Sequence, residues 1–421
     1  MYPKKKLAQI VISACNQFNI DTVVISPGSR NAPLTIGFSN HPSIKALSVV
    51  DERCAAFFAM GIAQQKQKPV AIVCSSGSAL LNYYPAIAEA FYSNIPLVVI
   101  SADRPKHLID IGDGQTIRQE NVFENHILFS ANLSDVSSNE AENLTLISEA
   151  LQIAIHKKGP VHINVPFNEP LYEMVADLKE FNFSSVVTNE LTQSGNYKNL
   201  SEIWNTSTKK MILVGCNFPD TELQNMLNRF AEDESVLVLT ETTSNLYNSK
   251  FINSIDKLIS PLSENDFLAL QPDVLLTLGG MVISKRIKQL LRKYQPKNHW
   301  HVDALKSMDT YHCLSEFIQK KPVDFLQKNA DNIIIVSCGT GLKALLKNNI
   351  KPDIHIEMER TAALLPYIDV IEKQQENSDI KLKDIQIIAL NTVYTELLNR
   401  FKNPLLLTKL NDAGGKLIQQ Y

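Results

Sequence analysis

The chain has 421 residues, a length at which a single hydrophobic core usually gives way to two or three domains. Hydrophobic residues make up 44% and charged residues 20%, which is typical of a folded globular protein and excludes a wholly disordered chain. The 41 basic and 44 acidic side chains give a net charge of −3, so no overall positive field attracts nucleic acid or an anionic membrane. We expect neither as a partner.

The chain has no stretch near the roughly 20 apolar residues that a membrane helix requires. Polar residues also interrupt the basic N-terminus before a signal-like core can form, and we expect a cytoplasmic protein. The cysteines are widely spaced and none forms a C-x-x-C pair, which indicates neither a disulfide framework nor a zinc site. We interpret them as buried free thiols and predict no metal ligands among them: Cys15, Cys54, Cys74, Cys216, Cys313 and Cys338.

Short apolar runs rich in β-branched residues recur through the first part of the chain and alternate with helix-like segments. These runs are TVVIS (22–26), KALSVV (45–50), VAIVCSS (70–76), PLVVISAD (96–103) and VHINVPF (161–167). Such alternation indicates right-handed β–α–β units, and therefore an α/β fold with a doubly wound parallel sheet and helices on both faces. Ligands of these sheets bind where strands end and helices begin.

Two further sets of apolar runs follow. The first is KMILVGC (210–216), SVLVLTE (235–241), DVLLTLGG (273–280) and HWHVDA (299–304). The second is IIIVSCGTG (333–341), DIHIEMER (353–360), IQIIALN (385–391) and LLLTKL (405–410). Polar stretches at 183–209 and 320–332 are typical of linkers. We predict domains at 1–185, 186–325 and 326–421, of which the last is shorter than most domains.

Two strand-end loops carry residues that could bind an anion or move a proton. The turn Pro27-Gly28-Ser29-Arg30 presents a hydroxyl and a guanidinium at the start of a helix, which suits a carboxylate or phosphate. A plain turn with a solvated arginine is the alternative. Asp51 and Glu52 open a strongly apolar helix, where an acidic residue either caps the helix or manages a proton in an apolar setting.

Two more strand ends lie next along the chain. Gly77 begins a turn of small residues that lets a ligand or another backbone approach closely, and Asn82 follows it. Arg104 comes after the next strand and precedes the loop that holds Gln115. Because parallel strands end at the same edge of their sheet, we expect all four loops to converge there.

Five segments in this order resemble one family: SPGSRNAPL, DERCAAFFAMG, CSSGSALLNYYPAIAEA, SADRP and GDGQTIRQ. They are similar to the 2-succinyl-5-enolpyruvyl-6-hydroxy-3-cyclohexene-1-carboxylate synthases, the thiamine-diphosphate-dependent transferases of menaquinone biosynthesis. The resemblance extends over about residues 1–325 and implies a pyrimidine-binding domain followed by a central α/β domain. It implies that 2-oxoglutarate loses carbon dioxide and that the remaining part adds to isochorismate. Both substrates are small-molecule carboxylates.

The resemblance also implies roles for particular residues. Glu52 matches the glutamate that hydrogen-bonds the aminopyrimidine of thiamine diphosphate and favours the tautomer that removes the thiazolium proton. Further positions match those that contact the substrates, where arginine suits bidentate binding of a carboxylate: Ser29, Arg30, Arg104, Gln115 and, in the central domain, Arg286. Others match residues that pack near the cofactor: Pro27, Gly77 and Asn82.

The family binds the cofactor's diphosphate through Mg²⁺ in a third domain, and we expect that domain to be missing from this chain. Gly112-Asp113-Gly114 and Asn139 match the spacing of its motif, but no apolar strand precedes them, and we interpret the match as fortuitous. The chain alone should therefore bind the cofactor poorly. Because the family's site lies between two subunits, we expect a homo-oligomer or a partner chain that supplies the diphosphate domain.

From about residue 332 the sequence resembles a fragment of the 6-hydroxymethylpterin pyrophosphokinase-like family, which includes motility accessory factors. This resemblance leaves two alternatives to a self-contained synthase. The chain is either a non-catalytic or split-enzyme subunit that completes its site with another chain, or a nucleotide-dependent transferase that acts through its C-terminal segment.

Overall fold

The structure is a computed structural model that describes residues 1–183, 197–330, 336–347, 350–358, 364–375, 380–390, 393 and 395–407. The chain divides into two compact units, Met1–Thr192 and Gln193–Tyr421. The predicted boundary between residues 185 and 186 lies outside the described residues, and the three domain ranges stay a prediction. Within the described ranges, every helix is too short or too polar to cross a membrane.

The first unit alternates strands and helices from its N-terminus. Its strands are β1 (Tyr2–Pro3), β2 (Thr22–Ile25), β3 (Lys45–Ser48), β4 (Val70–Cys74), β5 (Leu97–Asp103), β6 (Phe129–Asn132), β7 (Val161–Pro166) and β8 (Met174–Val175). Its helices are α1 (Lys6–Gln17), α2 (Ala32–Asn40), α3 (Glu52–Lys66), α4 (Ser78–Leu81), α5 (Tyr84–Tyr92) and α6 (Glu140–Lys157).

Six strands form one parallel sheet in the order β3-β2-β4-β5-β7-β6, while β1 and β8 pair antiparallel. One apolar core packs the sheet against α1, α2 and α6, and a second core packs its other face against α3 and α5. The predicted doubly wound sheet with helices on both faces is therefore confirmed. Since β3 and β4 lie on opposite sides of β2, the strand order reverses between β2 and β4, and such sheets bind ligands at this point.

The second unit contains two further parallel sheets. The first has the order β10-β9-β11-β12-β13 and comprises β9 (Lys210–Val214), β10 (Val236–Thr240), β11 (Val274–Leu278), β12 (Asn298–Val302) and β13 (Leu314–Ile318). Its helices are α7 (Lys198–Thr206), α8 (Thr221–Phe230), α9 (Ile255–Ile259), α10 (Glu264–Leu270), α11 (Lys285–Lys293) and α12 (Pro322–Ala330).

The last sheet has its strands in sequential order and comprises β14 (Val336–Cys338), β15 (Ile354–Glu357), β16 (Gln386–Leu390) and β17 (Lys402–Leu407). Its helices are α13 (Gly341–Lys347), α14 (Leu364–Gln374) and α15 (Thr395–Leu398), which pack with the strands in one apolar cluster. The short third α/β segment predicted from the apolar runs is thus confirmed as a parallel sheet.

Two buried histidines share one threonine hydroxyl in the first sheet of the second unit. His299 Nε2 and His301 Nδ1 each lie 2.9 Å from Thr277 Oγ1, which also donates to the Trp300 carbonyl oxygen at 3.3 Å. Burial lowers the pKa of His299 to about 4 and lowers that of His301 as well, so both rings are neutral at pH 7. Each ring nitrogen that faces Thr277 can then donate its proton to the hydroxyl oxygen.

We expect Thr277→Val to lower the free energy of unfolding by about 1–3 kcal/mol, because it leaves two buried ring N–H groups without an acceptor. Urea unfolding of the full chain measures the change. Thr240→Val is the matched control, since the Thr240 hydroxyl is buried in the same sheet and has no partner among the described residues. A Thr277→Val variant as stable as Thr240→Val would contradict the shared hydrogen bonding.

Candidate active site

The loops that follow β2 and β4 touch at the point where the strand order reverses. A Cβ atom built on Gly28 would lie only 2.6 Å from Ser75 Cβ, so a side chain at this position would push the loops apart. Asn31 fixes the first loop, because its Oδ1 accepts from Gly28 N at 2.8 Å and its Nδ2 donates to the Ser26 carbonyl oxygen at 2.9 Å. The edge of the sheet is therefore built from closely packed turns.

Arg30 follows β2, yet its guanidinium reaches the residues that follow β7. Its Nη1 donates to the Phe167 carbonyl oxygen at 2.8 Å, and its Nη2 lies 3.2 Å from Glu169 Oε1. Arg30 is only 5% exposed, which excludes the plain turn with a solvated arginine. Its buried Nε has no partner among the described residues. The guanidinium is thus fixed in place and already meets one carboxylate.

Of the two roles that the sequence left open for Asp51 and Glu52, helix capping is performed by Asp51. Asp51 caps α3, because its Oδ1 accepts a hydrogen bond from Cys54 N at 2.9 Å. Glu52 is the first residue of the helix and is half-buried. Its carboxylate is therefore not needed for capping.

The charge of Glu52 acts on a buried phenol near the end of β4. Burial raises the pKa of Tyr83 well above its usual value, and the negative charge of Glu52 raises it further. Tyr83 is fully buried and donates its hydroxyl proton to the Val73 carbonyl oxygen at 2.9 Å, with Ser26 Oγ at 3.3 Å. The Tyr83 hydroxyl is thus held by the ends of β2 and β4, within reach of the electrostatic field of Glu52.

Gly77 and Gln115 are in direct contact. Gly77 has a φ of 88°, and a Cβ atom built on it would lie 3.0 Å from the Gln115 carbonyl oxygen. Only glycine adopts this conformation at no steric cost, so the close approach predicted for this turn is confirmed, with backbone rather than ligand on the other side. The Gln115 side chain lies on the exposed surface of the loop.

Arg104 joins the same loop from the end of β5. Its Nη2 donates to the Gly114 carbonyl oxygen at 3.1 Å and its Nη1 lies 3.6 Å from Asp113 Oδ2. Asn139, the other half of the motif-like match, lies in the turn before α6. Across the described part of the chain, no three His, Cys, Asp or Glu side chains cluster closely enough to hold a metal.

The remaining predicted residues are not joined to these contacts. Pro27, Ser29 and Asn82 are exposed on the loops at the same edge. Arg286 is exposed on α11 of the second unit. The functional roles assigned to all the site residues stay predictions.

A buried polar network beneath these loops was missed by the sequence reasoning. Its members are Ser101, Asp103, Gln119, His162 and Asn164, each no more than 4% exposed. The sequence offered one signal for this network, which is the presence of polar residues within the apolar strands β5 and β7. Such residues are buried there, and a buried polar group needs a hydrogen-bond partner. Burial raises the pKa of Asp103 to about 6 and lowers that of His162 to about 3.

Several large apolar side chains of the first unit are exposed. Phe57 and Phe58 on α3, the helix that Glu52 opens, are 43% and 50% exposed, and others are exposed on turns and helices of the same unit: Val50, Leu81, Tyr92 and Ile111. Large contiguous apolar patches on a protein surface mark interaction sites.

Comparison with known proteins assigns the same segments to one class. Residues 5–128 match the thiamine pyrophosphate enzyme N-terminal TPP binding domain, and residues 184–333 match the middle domain of these enzymes. A crystal structure described as a thiamin diphosphate-dependent enzyme from Mycobacterium smegmatis has the same fold, with a TM-score of 0.58, 13% identity, and coverage of 92% of this chain and 83% of that one. The chain belongs to the family of thiamine pyrophosphate enzymes.

Its relatives are more specific. The 2-succinyl-5-enolpyruvyl-6-hydroxy-3-cyclohexene-1-carboxylate synthase of Flavobacterium johnsoniae is 55% identical over 337 residues, which are 78% of this chain and 59% of the relative. That of Flavobacterium psychrophilum is 50% identical over 374 residues, 88% of this chain and 66% of the relative. The chain thus spans about three fifths to two thirds of the curated relatives' length, and the predicted resemblance to these synthases is confirmed.

The C-terminal segment matches a different family. Residues 319–416 match the 6-hydroxymethylpterin diphosphokinase MptE-like family. The second resemblance predicted from the sequence is therefore confirmed.

We expect Gly77→Ala to lower the free energy of unfolding by about 1–2 kcal/mol, because alanine is strained at this positive φ and its methyl group would press on the Gln115 backbone. Gly61→Ala is the control, since Gly61 lies in α3 with open space around its Cβ position, and alanine there should be neutral or stabilising. Thermal unfolding of both variants compares them. Equal melting temperatures would contradict the close contact between the two loops.

Proposed function

We propose that the chain forms the pyrimidine-binding and central part of a thiamine-diphosphate-dependent synthase that joins decarboxylated 2-oxoglutarate to isochorismate in menaquinone biosynthesis. The observation that carries the proposal is the position of Glu52. It is the first residue of α3, where Asp51 and not Glu52 caps the helix, and its charge acts on the buried Tyr83 at the same edge of the sheet. Relatives that bear the synthase name are 50–55% identical over most of this chain.

The residues at this edge suit the pyrimidine end of the cofactor. Glu52 is half-buried, so its carboxyl group could share a proton with a ring nitrogen of the pyrimidine in a partly shielded position. The loops around Pro27, Gly77 and Asn82 would flank the ring. When bound, thiamine diphosphate supplies the thiazolium carbon that adds to the 2-oxo acid.

The arginines fit the substrates rather than the cofactor. The reactants are polyanionic carboxylates, and Arg30 already binds the carboxylate of Glu169 with a fixed guanidinium. Arg104 is held against the loop that carries Gln115. We assign Ser29, Arg30, Arg104 and Gln115 to substrate binding in the first unit, and Arg286 to the same task in the second.

We propose that a partner packs on the apolar surface around Glu52, either a second copy of this chain or a chain that supplies a diphosphate-binding domain. Only the second kind of partner would hold the diphosphate and Mg²⁺. A net charge of −3 and local arginines favour small carboxylates over nucleic acid as ligands. The six cysteines, all within the described residues, form no disulfide bonds, which favours the reducing cytoplasm as the protein's location.

A second candidate function rests on the C-terminal family match. Residues 319–416 match a family named for diphosphokinase activity, which favours a nucleotide-dependent transfer through this segment. Titration of the full chain with ATP and Mg²⁺ in a calorimeter tests it. Absence of binding by the folded chain would remove this candidate.

We expect Phe58→Lys to weaken association of the chain about 100-fold or more, because burying an unpaired ammonium group in an interface costs several kcal/mol. Sedimentation velocity over a concentration series measures the association. Val136→Lys is the matched control, since Val136 is 55% exposed but precedes α6, which packs on the opposite face of the sheet. Unchanged sedimentation of Phe58→Lys would contradict an interface on α3.

Glu52 is tested by complementation with an intact relative. The full-length Flavobacterium johnsoniae synthase is made with glutamine in place of the glutamate that aligns with Glu52, and is co-purified with this chain. We expect synthase activity from the mixed assembly, because this chain supplies the missing carboxylate. Glu52→Gln in this chain should lower that activity at least about 100-fold.

Glu142→Gln is the control, because Glu142 is an exposed carboxylate in the first turn of α6. This variant should keep the activity of the mixed assembly. Equal activity with Glu52→Gln, or no assembly with the relative, would contradict the proposed function.

A further inference from the structure

The polar network under the candidate site is centred on the side-chain amide of Gln119, which is fully buried. Gln119 Oε1 accepts from Gly77 N at 2.8 Å. Its Nε2 donates to Asn164 Oδ1 at 2.9 Å and to the Ala102 carbonyl oxygen at 3.1 Å, and lies 3.3 Å from Ser101 Oγ. One amide thus connects the turn after β4 with the ends of β5 and β7.

The network continues from Asn164 to the loop that carries Arg104. Asn164 Nδ2 donates to Asp103 Oδ2 at 2.8 Å, and Asp103 Oδ1 accepts from Arg104 N at 2.7 Å. Three buried side chains therefore link Gly77 to Arg104, two of the predicted site residues.

The hydrogen bonds have only one consistent direction. Asn164 Oδ1 accepts from Ser101 Oγ at 2.7 Å, so Ser101 has no second proton and must accept from His162 Nε2 at 2.8 Å. If the Gln119 amide were turned over, its oxygen would face two acceptors, Asn164 Oδ1 and the Ala102 carbonyl oxygen, and its NH₂ group would face the N–H of Gly77. The network can thus form in one arrangement, and a change at its centre must disturb both ends.

We propose that Gln119 is a positioning residue, whose buried amide holds the Gly77 turn and, through Asn164 and Asp103, the Arg104 loop in the register that the reaction needs. The inference deepens the proposed function, since only that function makes Gly77 and Arg104 parts of a site. Gln119 itself lies beneath the loops and acts through the residues it holds. No role was predicted for it from the sequence.

Two substitutions distinguish the contribution of the amide's NH₂ donor from that of its oxygen acceptor. Gln119→Met removes both halves, whereas Gln119→Glu keeps an oxygen for Gly77 N–H and replaces the NH₂ donor with an acceptor. Because burial raises the pKa of a carboxyl group, the introduced group should be protonated and able to donate at about pH 6 but ionised at about pH 8. Asp103 in the same network has a pKa of about 6 and titrates in every variant, whereas His162, with a pKa of about 3, stays neutral. Relative to the unsubstituted protein at the same pH, the defect of Gln119→Glu should therefore increase with pH, and that of Gln119→Met should not.

Hydrogen–deuterium exchange of the full chain, read peptide by peptide against the unsubstituted protein at each pH, reports the effect. We expect about tenfold faster exchange of residues 75–82 and 103–119 in Gln119→Met at both pH values, and in Gln119→Glu at about pH 8 only. Strand β2 should be unchanged. Gln9→Met is the control, because Gln9 is a buried glutamine that bonds the Pro3 carbonyl oxygen and Lys179 N on another face of the sheet.

Unchanged exchange of both loops in Gln119→Met would overturn the proposal. Faster exchange throughout the sheet in both variants at both pH values would also overturn it, because Gln119 would then support the sheet rather than its loops. In the mixed assembly with the relative, Gln119→Met should raise the KM for 2-oxoglutarate about tenfold, and Gln9→Met should not. An inactive assembly of the unsubstituted chain would refute the proposed function, while the exchange data would still decide the role of Gln119.

Discussion

Parallel strands end at one edge of their sheet, and the candidate site depends on this constraint. The order β3-β2-β4-β5-β7 brings the loops after these five strands to that edge, and the loops after β2 and β4 touch where the strand order reverses. The proposed site also needs a carboxylate that the fold does not use elsewhere. Asp51 caps the helix that begins at Glu52, so the Glu52 carboxylate is not used for capping.

The site is held by buried polar groups as much as by the apolar cores. Ser101 and Asn164 occupy inward positions of buried strands, where an unpaired polar group would be costly, and they are compensated by each other and by Gln119. Such bonding has direction, which apolar packing lacks. A loop that is held by directional hydrogen bonds keeps one conformation. A substrate of fixed shape needs loops of fixed conformation around it.

The sequence predicted the regular part of this architecture well. The apolar runs TVVIS and VHINVPF became β2 and β7, because short β-branched segments covered on both faces have no stable alternative to a buried strand. Strand β6 was missed, since Phe129–Asn132 lies at the sheet edge and carries two polar residues in four. The partners of Arg30 could not be predicted either, because Phe167 is 137 residues away and their contact depends on how β4 and β5 are paired between β2 and β7.

The position of Glu52 at the cofactor is tested most directly by a crystal structure of the chain assembled with the full-length Flavobacterium johnsoniae relative in the presence of thiamine diphosphate and Mg²⁺. We expect the cofactor's pyrimidine at the edge of the first sheet, with a ring nitrogen about 2.6–3.2 Å from a carboxylate oxygen of Glu52. Cofactor bound only between copies of the relative, with Glu52 directed away from every pyrimidine, would contradict it.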